Sequence, residues 1–174
     1  LNDKLFVEEK KDAVYLTAPS QFSISSQSTK IVIGTKNRIQ KLKVDGISIK
    51  ISGIAAIKSI IIDGIGINID SDISCESIDI KGTGITLKGL MDCITAKIKG
   101  TSVNLNIAMA NNKDMDINCT NINATIKYFD DSPYLKYLRV NGLSGTMSLI
   151  LPQNNFLKVE KDISKNIAVN TFFY

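Results

Sequence analysis

The feature that most constrains this chain is an octet that repeats at a nearly fixed interval. Val44-Asp-Gly-Ile-Ser-Ile-Lys-Ile51 returns as Ile62-Asp-Gly-Ile-Gly-Ile-Asn-Ile69, as Ile80-Lys-Gly-Thr-Gly-Ile-Thr-Leu87 and as Ile98-Lys-Gly-Thr-Ser-Val-Asn-Leu105, then more weakly as Ile117-Asn-Cys-Thr-Asn-Ile-Asn-Ala124. The copies start 18, 18, 18 and 19 residues apart. A fixed period of this size indicates one supersecondary unit per repeat, stacked on its neighbours because none can bury its apolar side alone.

The columns show which side of each unit is buried. Val44, Ile62, Ile80, Ile98 and Ile117 form one aliphatic column. Ile49, Ile67, Ile85, Val103 and Ile122 form a second, and Ile51, Ile69, Leu87, Leu105 and Ala124 a third. Between them stand Asp45, Asp63, Lys81, Lys99 and Asn118, and Thr86, Asn104 and Asn123, which face solvent. Alternation of period two on either side of a glycine is the signature of half-buried strands, whereas a helix needs apolar spacings of three and four. Gly46, Gly64, Gly82 and Gly100 lie where the parity slips, which marks a corner, and Cys119 interrupts that column. Leu42, Ile60, Ile78, Ala96 and Met115 extend the first side, while Ala55, Ile73, Met91 and Met109 supply a third short one.

Eighteen residues at about 3.3 Å each make a coil with a perimeter of roughly 60 Å, and coils of this kind stack about 4.8 Å apart. The expected fold is therefore all-β, a single parallel β-solenoid of about 18 residues per coil. A left-handed hexapeptide solenoid needs an aliphatic residue every six positions, and counting on from Ile62 meets Asn68 and Ser74. The right-handed form is expected instead. At 174 residues the chain suits one domain. Residues 1–41 read as an N-terminal cap, with strands at 13–16, 22–24 and 30–34. Residues 42–126 read as regular coils, 127–139 as an insertion, and 140–174 as the last coil and C-terminal cap.

Composition removes several chemistries. There is no histidine, so a Ser-His-Asp triad, a Cys-His pair and a histidine-ligated metal are all excluded. A net charge of +4, dispersed along the chain, gives no footprint for nucleic acid. Cys75, Cys93 and Cys119 form no Cys-x-x-Cys pair and are odd in number. They read as reduced, buried thiols, with Cys75 and Cys93 stacked in adjacent coils. No run approaches the 18 apolar residues of a spanning helix. The chain opens on Leu1, so an anchor or export signal in a longer protein is compatible with it.

The degenerate Ile-Asp-Gly-Ile-x-Ile coils, closed by Leu143-Ser-Gly-Thr-Met-Ser-Leu-Ile-Leu-Pro152, resemble the adhesin-like family of bacterial envelope-associated β-helical proteins, a domain family of unresolved function. The resemblance spans residues 30–170. It departs from the family where Ser-Gly-Thr stands at a place in which an acidic residue is common. It implies a right-handed β-helix-like fold, a bacterial cell-envelope or extracellular setting, and no established catalytic residues.

Candidate chemistry is sparse. Asp70, Asp72 and Glu76 invite a calcium reading, but neither the glycine of a calcium loop nor a repeat of the acids in the next coil accompanies them, and a solvated corner is expected. The outward row Asp45, Asp63, Lys81, Lys99 mixes signs, so it reads as a solvated, salt-bridged face and not as converging carboxylates. Asn118-Cys-Thr and Asn123-Ala-Thr match glycosylation sequons by chance. Tyr128, Phe129, Tyr134 and Tyr137 concentrate aromatic side chains in the insertion and are the candidate interaction surface, with a folded-back cap as the alternative. The expected function is non-enzymatic: binding or scaffolding through a rigid solenoid face, toward a surface protein or glycan, without cofactor or metal. The alternatives are a carbohydrate-active β-helix enzyme and a self-assembling envelope-stress module.

Overall fold

The computed structural model describes residues 6–10, 13–17, 39–129, 135–153 and 158–174. Within them the chain is all strand: β1 (Phe6–Lys10), β2 (Ala13–Thr17), β3 (Ile39–Ile47), β4 (Lys50–Ala110), β5 (Asp114–Tyr128), β6 (Leu135–Leu151), β7 (Lys158–Ile163) and β8 (Ile167–Phe173). β1 and β2 pair antiparallel, and every other ladder between these strands is parallel. β4 is 61 residues long because it winds through consecutive coils without a break. The result is a β-solenoid of about 6 coils.

The register reproduces the sequence columns. Val44 lies over Ile62, and Ile98 over Ile117 over Val140. Within β4, side chains bond to groups 18 residues away: the Ser71 hydroxyl donates to the Gly53 carbonyl at 2.7 Å, and Ser77 to Ser59 at 3.1 Å. The core is a set of aliphatic stacks in which Ile62, Ile80, Ile98 and Ile117 are at most 1% exposed. Each buried isoleucine contributes roughly 1.5–3 kcal/mol relative to exposure, so the stack is stabilised by repetition.

The glycine corner has a sharper cause than backbone freedom. A Cβ on Gly64 would overlap the carbonyl oxygen of Gly46, and one on Gly82 would overlap that of Gly64. The column is glycine because successive backbones press together there. The left-handed positions lie two residues downstream, at Ser48 (φ 56), Gly66 (φ 68) and Gly84 (φ 69).

One coil is a residue longer, and the chain absorbs it locally. β4 and β5 pair with an offset of 19, as in the Asn111 to Asp92 hydrogen bond. Asn111 adopts φ 52, and the buried Asn112 amide donates to the Cys93 carbonyl at 3.1 Å and to the Asp114 carbonyl at 3.2 Å. The side chain replaces ladder bonds that the extra residue displaces.

The expected insertion is shorter than 127–139. β5 runs in register to Tyr128, which lies opposite Met109, and β6 begins at Leu135. The expected strand at 13–16 is β2. Those at 22–24 and 30–34 lie outside the described residues.

Cys75 and Cys93 require a correction. They stack in adjacent coils as their spacing dictates, but they are joined as a disulfide and are not free thiols, with Cα atoms 4.7 Å apart. Neighbouring strands in register already hold Cα atoms within the 4.4–6.8 Å that a disulfide spans, so stacking alone brings the sulfurs together. Cys119 is the free, buried thiol, and burial pushes its pKa up.

Candidate interaction surface

Outward residues form rows that run along the solenoid, because each coil places its equivalent side chain above the last. One face is charged. Lys97, Asp116, Arg139 and Asp162 pair in succession, so the sign alternates from coil to coil. The neighbouring row runs Asp45, Asp63 and, farther along, Lys99, Asn118, Asn141. Ion pairs join these charges locally: Lys43 to Asp45 at 2.9 Å, Lys81 to Asp79 at 3.5 Å, and Arg139 to Asp114 at 2.7 Å. Exposed pairs of this kind are worth about 0–1 kcal/mol each, so they keep the face hydrated more than they hold the fold.

On a second face two adjacent rows are uncharged over the later coils, with Lys127 in the row beside them. Asn104, Asn123 and Thr146 stand in one row, and Asn106, Thr125 and Ser148 in the next, followed on β8 by Ala168 and Asn170. Thr146 and Asn123 approach at 3.4 Å across the coil boundary. In the earlier coils the corresponding positions include Asp70 and Lys88, so the neutral lattice of amides and hydroxyls belongs to the C-terminal half. Such a surface offers paired donors and acceptors at the regular spacing of the sheet and has no net charge to select an ion.

Between the faces lies a shallow groove of about 430 Å³, lined by Lys81, Gly82, Lys99, Gly100, Thr101, Asn118 and Thr120. Two of its lining residues, Lys81 and Lys99, are lysines on adjacent coils. The glycines of this groove are legible in the sequence, and the groove itself is not.

The four aromatic residues singled out from the sequence do not form one site. Tyr128 is a correction: it is fully buried, continuing the Met109 column into the core. Its hydroxyl has no hydrogen-bond partner, and burial raises its pKa above the usual value near 10. Phe129 is exposed and stands with Lys127, whose ammonium lies 4.5 Å from the Phe129 ring and 4.3 Å from that of Tyr174. Tyr137 is half-buried in the row of Thr95, Asp114 and Glu160. Tyr134 lies outside the described residues. The inward column was readable at Met91 and Met109, and extending it one coil reaches Tyr128.

Two of the three acidic residues have structural partners. The Asp72 carboxylate accepts the Leu90 backbone N–H at 2.9 Å, and Glu76 pairs with Lys58 at 3.7 Å. Among the described residues no three groups of metal-ligating type converge, and no helix is long and apolar enough to cross a membrane. Compared with known protein families, with curated proteins and with solved structures, the chain matches none.

Proposed function

We propose that this chain is a non-enzymatic module of the bacterial cell envelope or cell surface, an adhesin or scaffold that holds a glycan against its neutral lateral face. The Cys75–Cys93 disulfide carries the location, since such bonds persist in oxidising compartments and are rare in the reducing cytosol. The two neutral rows from Asn104 to Ser148 support the partner class. Sugars present hydroxyls that both donate and accept, and amide and hydroxyl side chains answer both. Strand-borne side chains lose little freedom on binding, which favours a preorganised surface.

Binding of purified peptidoglycan and of defined neutral and acidic envelope polysaccharides, measured by calorimetry, tests the reading. Neutral glycans are expected to bind, and Asn123→Lys with Thr125→Glu is expected to weaken them by roughly tenfold or more through misplaced charge. No binding to any of these polymers overturns the partner class. Release of reducing ends from them overturns the non-enzymatic reading, and three free thiols in protein isolated from its host overturn the location.

A further inference from the structure

Across the glycine corner, successive coils carry Asp45-Gly-Ile47, Asp63-Gly-Ile65, Lys81-Gly-Thr83, Lys99-Gly-Thr101, Asn118-Cys-Thr120 and Asn141-Gly-Leu143. Two columns change together. Where the acid before the corner gives way to lysine and then to asparagine, the residue after it becomes threonine, whereas Ile47, Ile65 and Leu143 hold that place elsewhere as exposed apolar side chains. The lysines, threonines and Asn118 of the middle coils are all exposed, so core packing does not dictate them.

The groove lies at this change. Lys81, Lys99 and Asn118 line it before the corner, Thr101 and Thr120 after it, and no carboxylate is among its lining residues. A Cβ on Gly100 would stand 2.8 Å from the Gly82 carbonyl oxygen, so the two coils touch here. Lys81 and Lys99, each one residue before its glycine, are therefore neighbours across the sheet spacing of about 4.8 Å. Like charges opposite one another on adjacent strands repel. Lys81 is relieved in part by Asp79 at 3.5 Å, whereas Lys99 forms no ion pair among the described residues. An anion set between the two ammonium groups would remove the repulsion and gain charge-assisted hydrogen bonds from both.

We infer that the groove is an anion subsite for the carboxylate, sulfate or phosphate substituent of an acidic glycan. Lys81 and Lys99 bridge the oxyanion, and the Asn118 amide with the Thr101 and Thr120 hydroxyls donates to the sugar that carries it. A volume of about 430 Å³ exceeds what one oxyanion fills and lies in the range of small-ligand sites, roughly 300–1,000 Å³, so the substituent enters with its sugar. The groove also borders the neutral rows, since Asn104 and Asn123 stand three residues beyond Thr101 and Thr120. Naming a glycan rests on the function proposed above; the anion site itself rests on the paired lysines.

Calorimetric titration at low salt with oligosaccharides of equal length, neutral, uronate-bearing, sulfated or phosphorylated, tests it, and the three acidic arms tell the oxyanions apart. At least one acidic series is expected to bind roughly tenfold more tightly than the neutral one, with the gain shrinking as salt is added. Lys81→Gln with Lys99→Gln is expected to abolish the gain. Lys41→Gln with Lys113→Gln, which removes the same net charge away from the groove, is expected to keep it, and both variants are expected to unfold in urea near the parent midpoint. Acidic ligands that bind no more tightly than neutral ones overturn the proposal, as does a gain that survives loss of Lys81 and Lys99 or falls equally in the Lys41 and Lys113 variant. Polyglutamate binding as tightly as the acidic glycan overturns the glycan assignment. Failure of neutral ligands alone, with lysine-dependent binding of acidic ones, supports the groove and counts against the neutral rows.

Discussion

Reduction of the Cys75–Cys93 bond is the perturbation whose magnitude the structure defines most directly. The bond joins residues 18 apart, one full coil, so in the unfolded chain it closes a loop of that length. The loop-entropy relation gives about 10.7 cal/mol/K for such a loop, or roughly 3 kcal/mol at room temperature. Stacking in the folded chain already holds the two Cα atoms 4.7 Å apart, so the bond asks for little rearrangement and most of that effect should survive. The assay has two parts. Thiol titration in denaturant is expected to find one reactive thiol, Cys119, before reduction and three after it. Urea unfolding of the oxidised and reduced protein is then expected to differ by roughly 3 kcal/mol, with the Cys75→Ala, Cys93→Ala double variant close to the reduced form. Three thiols before reduction would refute the bond. One thiol with an unchanged unfolding midpoint would refute the argument that closing a coil stabilises it.

Two further expectations separate causes that sequence alone confounds. Gly82→Ala is expected to destabilise by about 2–3 kcal/mol, because its Cβ would overlap the Gly64 carbonyl and press on Ile67. Gly84→Asn is expected to cost under about 1 kcal/mol, since asparagine tolerates the left-handed region and the nearest atom to an added Cβ is 3.9 Å away; equal losses in thermal unfolding would show that close approach is not what selects the corner glycine. Tyr128→Phe is expected to be neutral or to stabilise by up to about 1 kcal/mol at pH 7, because it removes a buried hydroxyl without a partner. Burial raises the Tyr128 pKa in the folded state, so its stability contribution is full below the unfolded value near 10 and is lost as pH rises beyond it, at up to about 1.4 kcal/mol per unit. Urea midpoints measured from pH 9 to 11 should therefore fall less steeply for the phenylalanine variant, and parallel curves would contradict the burial.

Much of the architecture is legible in the sequence because a parallel in-register ladder converts chain interval into vertical stacking. Once Ile62, Ile80 and Ile98 share a position in the repeat, the sheet has nowhere to put them except above one another. The same rule places Cys75 over Cys93; an odd cysteine count, the lack of a Cys-x-x-Cys pair and the packing of cysteine as a small apolar side chain argue for free thiols, and proximity in register overrides them. Tyr128 misled for a related reason: its neighbours in sequence are aromatic and irregular, while its neighbours in space, Met109 and the columns beneath it, are the core.

The candidate surface was less legible. Lys127 finds the Tyr174 ring only because the chain after β8 returns beside the earlier coils, a contact with no periodic signature. The amino-acid order by itself determined the coil length, the inward columns and the outward rows, since all three follow from a period of two within strands and of about 18 between them. Only the tertiary structure decided that the stacked sulfurs join, how tightly the corner backbones press together and how β8 returns beside β6. Those depend on ångström-scale distances between stacked or returning segments, and a period in the sequence sets which residues stack without setting how closely they approach.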